Sequence, residues 1–198
     1  MPRVRADNYD AKAQAILDSA AQLFAKVGYP NAKMQDIAKA CAASKSMLYH
    51  YFPTKDDLLS AMLEEHLEKV IAGIDEVVAM PASNAERFSA FVQVFTQKSA
   101  QSRRRHVVAM NDVKFLPKAM QVPLLGLQTQ VTDRVAALLR QLNPALPAET
   151  YKPYTLLLIG MLNWTDTWYR PGGKIKPAEL CERVSRLFLQ GFMAEKAD

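Results

Sequence analysis

The chain has 198 residues, 49% of them hydrophobic, a net charge of +5 and an isoelectric point near 9.2. That length allows one or two small domains with a real core, and no run of about 18 apolar residues exists to span a membrane. The charged start, Met-Pro-Arg-Val-Arg, does not read as a secretory segment. Cys41 and Cys181 lie far apart in sequence, so both read as reduced thiols and the protein as cytoplasmic.

In chain order, Ile16, Leu17, Ala20, Ala21, Phe24 and Val27 recur at helical spacing on one face. Gly28 ends that helix, and Tyr29-Pro30-Asn31 is loop chemistry. Residues 31–52 then read as two short helices joined by a tight turn. The second, Ser44 to Phe52, is too short to be stable alone; Ile37, Ala38, Cys41 and Leu48 would lock the pair onto the first helix. Ser44 is an N-cap, and Pro53 stops the helix with Phe52 pushed toward extended backbone. Thr54 caps the next helix with Asp57 at capping-box spacing, and Asp56 and Asp57 suit the dipole of its first turn. Lys55 to about Val78 is one long helix, followed by a break at 80–84. Ala85 to Gln101 carries Phe88, Phe91, Val92 and Phe95 at helical spacing. Arg103 to Phe115 is a further helix, ended by Leu116-Pro117. Pro123 to Leu142, Tyr154 to Tyr169 and Pro177 to Phe192 complete the series. Pro144 and Pro147 close the first of these three, and Pro171-Gly172-Gly173 turns between the last two. No stretch keeps a period of two, so the expected fold is all-α with about nine helices.

The polar side of the short second helix sets the function. Ser44, Lys45, Ser46, Tyr49, His50 and Tyr51 offer hydroxyl, ammonium and imidazole groups, which reach phosphates and base edges in a DNA major groove. The segment reads as a helix-turn-helix whose recognition helix is Ser44 to Phe52. Charge agrees: residues 31–55 hold Lys33, Lys39, Lys45 and Lys55 against Asp36 alone. Residues 56–80 hold Asp56, Asp57, Glu64, Glu65, Glu68, Asp75 and Glu76 against Lys69. A basic surface that stops where the recognition unit stops suits a phosphate-facing role.

The stretch Ile16 to Leu63 resembles the DNA-binding domain of the TetR family of bacterial transcriptional regulators. The resemblance rests on Ile16-Leu17-Asp18-Ser19-Ala20-Ala21-Gln22-Leu23-Phe24-Ala25, Gly28-Tyr29, Asp36-Ile37-Ala38 and Ser44 through Lys55. Ala42 stands where the family commonly has Gly, so a positive φ there would carry strain. Lys33 replaces a common capping Thr, and Ser46 a frequent Gly. The resemblance implies a DNA-binding domain over 1–55 and a ligand-binding and dimerisation domain over 56–198. Lys45, Ser46 and Tyr49 are the candidates for base edges or nearby contacts, with Gln35 reaching in from the preceding helix. The family assigns Tyr51 and Lys55 to phosphates, and His50 and Ser44 join them. Arg3 and Arg5 are placed on a flexible arm that touches the minor groove or backbone.

The resemblance also implies a homodimer on a palindromic operator, with the last two long helices forming a four-helix bundle between subunits. Leu156, Leu157, Ile159, Gly160 and Met161, with Val184, Leu187, Phe188, Gly191 and Phe192, are the candidate seam; an intrachain core is the alternative. The segment Asn163 to Gly173 resembles TetR-type repressors of fatty-acid, steroid and aromatic-acid catabolism, several of which respond to acyl-CoA thioesters. Phe91, Phe95, Phe115, Trp164 and Trp168 are candidates for lining an acyl pocket. Arg103, Arg104 and Arg105 are candidates for gripping the CoA phosphates. No cofactor, metal or membrane is expected. No Gly-x-Ser-x-Gly elbow, phosphate loop or His-Glu-x-x-His occurs, and His50, His66 and His106 lack partners at metal-site spacing. His66 reads as a surface residue or linker-helix contact. The chain therefore reads as a ligand-responsive repressor rather than an enzyme. The alternative is a helical interaction protein of the same shape without DNA binding.

Overall fold

The computed structural model describes residues 3–170 and 172–196, with side-chain surroundings for all of these except 3–8, 98–101 and 166. Nine α-helices are found among the described residues, and no strand. They are α1 (Arg3–Val27), α2 (Met34–Ala40), α3 (Lys45–Tyr51), α4 (Lys55–Val78), α5 (Asn84–Gln101), α6 (Arg103–Asn111), α7 (Lys118–Leu142), α8 (Ala148–Trp168) and α9 (Pro177–Ala194), with a 3-10 turn at Val113–Phe115. None is long and apolar enough to cross a membrane. This is the all-α fold that the helical periodicity predicts, down to the residue for α4.

The departures have local causes. α7 begins at Lys118 and α8 at Ala148, ahead of the expected Pro123 and Tyr154. Pro123 and Pro153 each sit six residues into a helix, where a proline removes one i→i−4 bond without ending the helix. The helix expected from Arg103 to Phe115 stops at Asn111, and the chain tightens into the 3-10 turn. The break at 80–84 hides a reciprocal cap. Glu86 accepts from the Ser83 N–H at 2.8 Å, while Ser83 Oγ accepts from the Glu86 N–H at 3.3 Å. α1 takes in Arg3 and Arg5, expected on an arm; their side chains lie outside the described ones.

The chain divides into two compact units, one built from residues up to Leu67 with Arg104–Gly126, the other from Glu68–Arg103 with residues from Leu127 onward. α4, α6 and α7 are each divided between the two units. In the first unit Ile16, Leu17, Ala20, Ala21 and Phe24 of α1 are buried with Ile37, Ala38, Leu48, Leu58, Leu59, Met62 and Leu63. Val27, expected on the same stripe, is exposed. In the second unit Phe88 of α5 stacks on Phe188 of α9 at 5.6 Å between centroids, and Phe188 on Phe192 at 5.6 Å. Val184, Phe188 and Phe192 are therefore core, which corrects their place in the expected seam. Leu156, Leu157 and Leu187 are exposed beside Gly160 and Gly191.

The turn between α2 and α3 has a defined chemistry. The Ala43 N–H donates to the Ala38 carbonyl at 2.9 Å and the Ala42 N–H to the Lys39 carbonyl at 3.2 Å, a Schellman closure. It requires a left-handed residue at position 42, and Ala42 supplies it at φ +50°. An L-residue there costs roughly 1–2 kcal/mol, partly offset by the greater unfolded freedom of glycine. Ala42→Gly should therefore stabilise the protein by up to about 1 kcal/mol, a rise in Tm of about 2–4 °C. A melt with an unchanged or lower midpoint would refute the strain at this residue.

Candidate nucleic-acid interface

α3 is held from one side and open on the other. Ser44 caps it, its hydroxyl accepting from the Met47 N–H at 3.0 Å, as its position implied. Leu48, fully buried, is the apolar anchor. With Leu48 inward, Lys45, Ser46, Met47, Tyr49 and His50 are exposed. Tyr49 is 41% exposed, and Lys45 Nζ lies 5.9 Å from its ring centroid, so an ammonium and a phenol share one outward ridge. Gln35 is exposed on α2. Tyr51 is half-buried, its ring stacked on Tyr9 of α1 at 4.4 Å with an interplanar angle of 26°. Tyr51 thus ties the end of α3 to α1. Met47 belongs to the same outward face although it is apolar. Reading for polar and aromatic groups missed it; its position next to inward Leu48 was the available signal.

The first turn of α4 is built as its sequence implies. The Thr54 N–H donates to Asp57 Oδ2 at 3.0 Å and the Asp57 N–H to Thr54 Oγ1 at 3.0 Å. Lys55 is placed differently from the expectation. Its ammonium donates to the carbonyls of Tyr29 at 2.9 Å, Ala32 at 3.1 Å and Pro30 at 3.4 Å, and lies 4.3 Å from the Tyr29 ring centroid. An ammonium has three donors, and here three carbonyls take them. Lys55 closes the loop between α1 and α2 rather than reaching outward to a phosphate.

Tyr29 is the hub of that closure. Its ring packs edge-on against Phe24 and stacks on Phe115 at 6.1 Å. Its hydroxyl donates to Asp56. Burial, then the hydrogen bond and charge of Asp56, push the phenol well above the usual tyrosine range. Asp112, following α6, accepts from the Tyr29 backbone N–H, and burial holds its carboxyl above the usual range.

The candidate effector residues do not form one group. Phe91 and Phe95 are buried in the second unit, 5.6 Å between centroids. Trp164 and Trp168, in the same unit, are exposed. Phe115 belongs to the first unit, against Tyr29. The arginine triplet is also divided: Arg103 falls in the second unit, Arg104 and Arg105 in the first. Arg104 is exposed, but Arg105 is buried and donates to Asp18 at 2.7 Å and Glu65 at 2.6 Å. Its charge is already matched, so it is not an outward anion grip. His66, read as a surface residue or a linker-helix contact, is 3% exposed, with Nε2 3.2 Å from Nδ1 of His106, which removes the first of the two readings. Among the described residues no cluster of three or more His, Cys, Asp or Glu could hold a metal.

Comparison with known proteins places this geometry. Residues 16–62 match the model of bacterial regulatory proteins of the tetR family, and residues 81–192 that of the tetracyclin repressor-like C-terminal domain. A TetR-family transcriptional regulator from Bordetella parapertussis 12822 is 35% identical, with a TM-score of 0.85 over 94% of this chain and 98% of that one. The HTH-type transcriptional repressor KstR2 of Mycobacterium tuberculosis is 21% identical over 98% of this chain and 99% of its own. AibR, solved with isovaleryl coenzyme A and operator DNA, is 20% identical with a TM-score of 0.79 over 89% of this chain and 97% of that one; at that identity the likeness is one of fold. Against three other curated regulators the chain spans only 39%, 22% and 38% of their length. Both family models and the full-length Bordetella match agree with the outward recognition helix: the chain belongs to the TetR family of transcriptional regulators, which work by binding DNA and not by catalysis.

Proposed function

We propose that the chain is a homodimeric cytoplasmic repressor that sets α3 of each subunit into the major groove of a palindromic operator and leaves it when a small molecule binds. The observation that carries this reading is the two-sided character of α3, with Leu48 buried and Lys45, Ser46, Met47, Tyr49 and His50 exposed together. Lys45, Ser46 and Tyr49 read or border base edges, with Gln35 beside them. Ser44, His50 and Tyr51 serve the backbone, Tyr51 also anchoring α3. The exposed apolar residues Leu156, Leu157 and Leu187, beside Gly160 and Gly191 on α8 and α9, support a second copy there, since glycines let helices approach closely. Effector binding would shift α4 and change the spacing of the two recognition helices.

For the effector, an acyl- or aryl-CoA thioester remains the proposal. The aromatic second unit supports it, and AibR binds isovaleryl coenzyme A on the same fold. With Arg105 engaged by Asp18 and Glu65, the exposed Arg104 is the candidate of the first unit for a CoA phosphate. Displacement of a labelled operator by CoA esters beside their free acids tests it. Thioesters should release DNA and free acids should not; equal release by free acids or uncharged aromatics removes CoA from the proposal.

Two substitutions test the DNA-binding face. Tyr49→Ala should abolish operator binding while circular dichroism and dimerisation stay as in the wild type, because the ring is exposed; loss of folding along with binding would make Tyr49 structural. Lys55→Met should lower the melting temperature and weaken binding with an unchanged slope of log K against log salt. A slope reduced by about 0.9 per half-site would instead put this ammonium on a phosphate.

A further inference from the structure

The chain passes between the two compact units after Leu67, after Arg103 and after Gly126. Two residues past the second crossing lies Arg105, and two residues before the first lies its partner Glu65. Arg105 of α6 is buried. One guanidinium nitrogen donates to Asp18 of α1 at 2.7 Å, and another to Glu65 of α4 at 2.6 Å. Gln14 of α1, with its amide nitrogen turned toward Glu65, donates to that carboxylate at 2.9 Å and accepts from Arg105. His106 follows Arg105 directly and meets His66, which follows Glu65, at 3.2 Å. Two consecutive residues of α6 are thus paired with two consecutive residues of α4, and Arg105 also holds α1.

Such a cluster has little reason to exist for stability alone. Only the guanidinium is buried, Asp18 being largely exposed and Glu65 partly so; a solvent-screened carboxylate adds little net stability, although losing the carboxylates would leave a buried charge unmatched. What it offers is geometry, because the planar fork of an arginine fixes direction as a lysine cannot. The recognition helix is held independently of it, by the burial of Leu48 and by the Tyr9–Tyr51 stack onto α1. Removing the fork would therefore leave α3 in place while taking from α6 its tie to α1 through Asp18 and one of its ties to α4, the His66–His106 contact remaining.

We propose that Arg105 is a positioning residue for operator recognition: by holding Asp18 and Glu65 on one guanidinium it locks α6 to α1 and α4, and so fixes the presentation of α3 that two half-sites at a set spacing require. This rests on the DNA-binding reading above. Arg105 touches no base and no phosphate, and acts through α1 and α4.

The test uses full-length protein and the duplex that the wild-type chain enriches from a random-sequence library. That duplex is remade with the half-site separation changed by one and two base pairs either way, and cut to a single half-site. Arg105→Gln should bind the two-half-site duplex about tenfold more weakly, within the usual range of coupling between sites. It should keep its affinity for the single half-site and show a flattened dependence on spacing. Arg105→Lys, able to satisfy one carboxylate, should fall between. An unchanged spacing dependence, or equal loss on the single half-site, would overturn the proposal, since a merely destabilised domain loses both alike. Should Arg105→Gln fail to fold by circular dichroism, D18N and E65Q decide: each must flatten the spacing dependence, and wild-type behaviour in both would overturn it. A wild-type chain that enriches no duplex refutes the DNA-binding reading itself, a different result from variants that bind as the wild type does.

Discussion

Burial of Leu48 is the contact on which the outward face of α3 depends. A seven-residue helix cannot hold itself together in water, and α3 has one fully buried side chain with which to do so. That side chain is buried in the same compact unit as Ile37 and Ala38 of α2 and the apolar face of α1. The Ser44 cap and the Tyr9–Tyr51 stack secure the two ends. Because Leu48 and, in part, Tyr51 supply the packing, Lys45, Ser46, Met47, Tyr49 and His50 are left exposed. The surface available for recognition is a direct result of how little of α3 is needed to hold it.

The loop between α1 and α2 is treated in the opposite way, held by a group of specific polar contacts. Lys55 takes three of its carbonyls, Asp56 takes the Tyr29 hydroxyl and Asp112 the Tyr29 N–H. Aromatic packing by Phe24 and Phe115 completes the enclosure. The start of α4 and the segment after α6 thus meet on a single tyrosine. The Arg105 fork repeats the arrangement further along α4. Along both contacts α6 and the segment after it are tied to α1, α4 and the loop after α1.

The second unit is assembled by apolar packing, with Phe88, Phe188 and Phe192 at its centre. α9 carries apolar residues on more than one side. Val184, Phe188 and Phe192 turn inward, while Leu187 and Met193 stay exposed. Helical periodicity cannot say which of two apolar faces a chain buries within itself, because both satisfy the same spacing.

The sequence by itself determined whatever depends on neighbours a few residues apart. Helix periods, the Ser44 cap, the Thr54–Asp57 box, the left-handed turn at Ala42 and the outward residues of α3 all follow from local chemistry, and the motif from Ile16 to Lys55 carried the family with them. Only the tertiary structure decided where charge is spent. Lys55 and Arg105 read as available cations in a linear chain, since nothing nearby in sequence competes for them. Their partners lie 23 to 26 residues away for Lys55 and 40 and 87 residues away for Arg105. His66 met His106 for the same reason, 40 residues apart. Prolines within α7 and α8 were likewise decided by context, because a helix can lose one early rung if the turns on either side of it are kept.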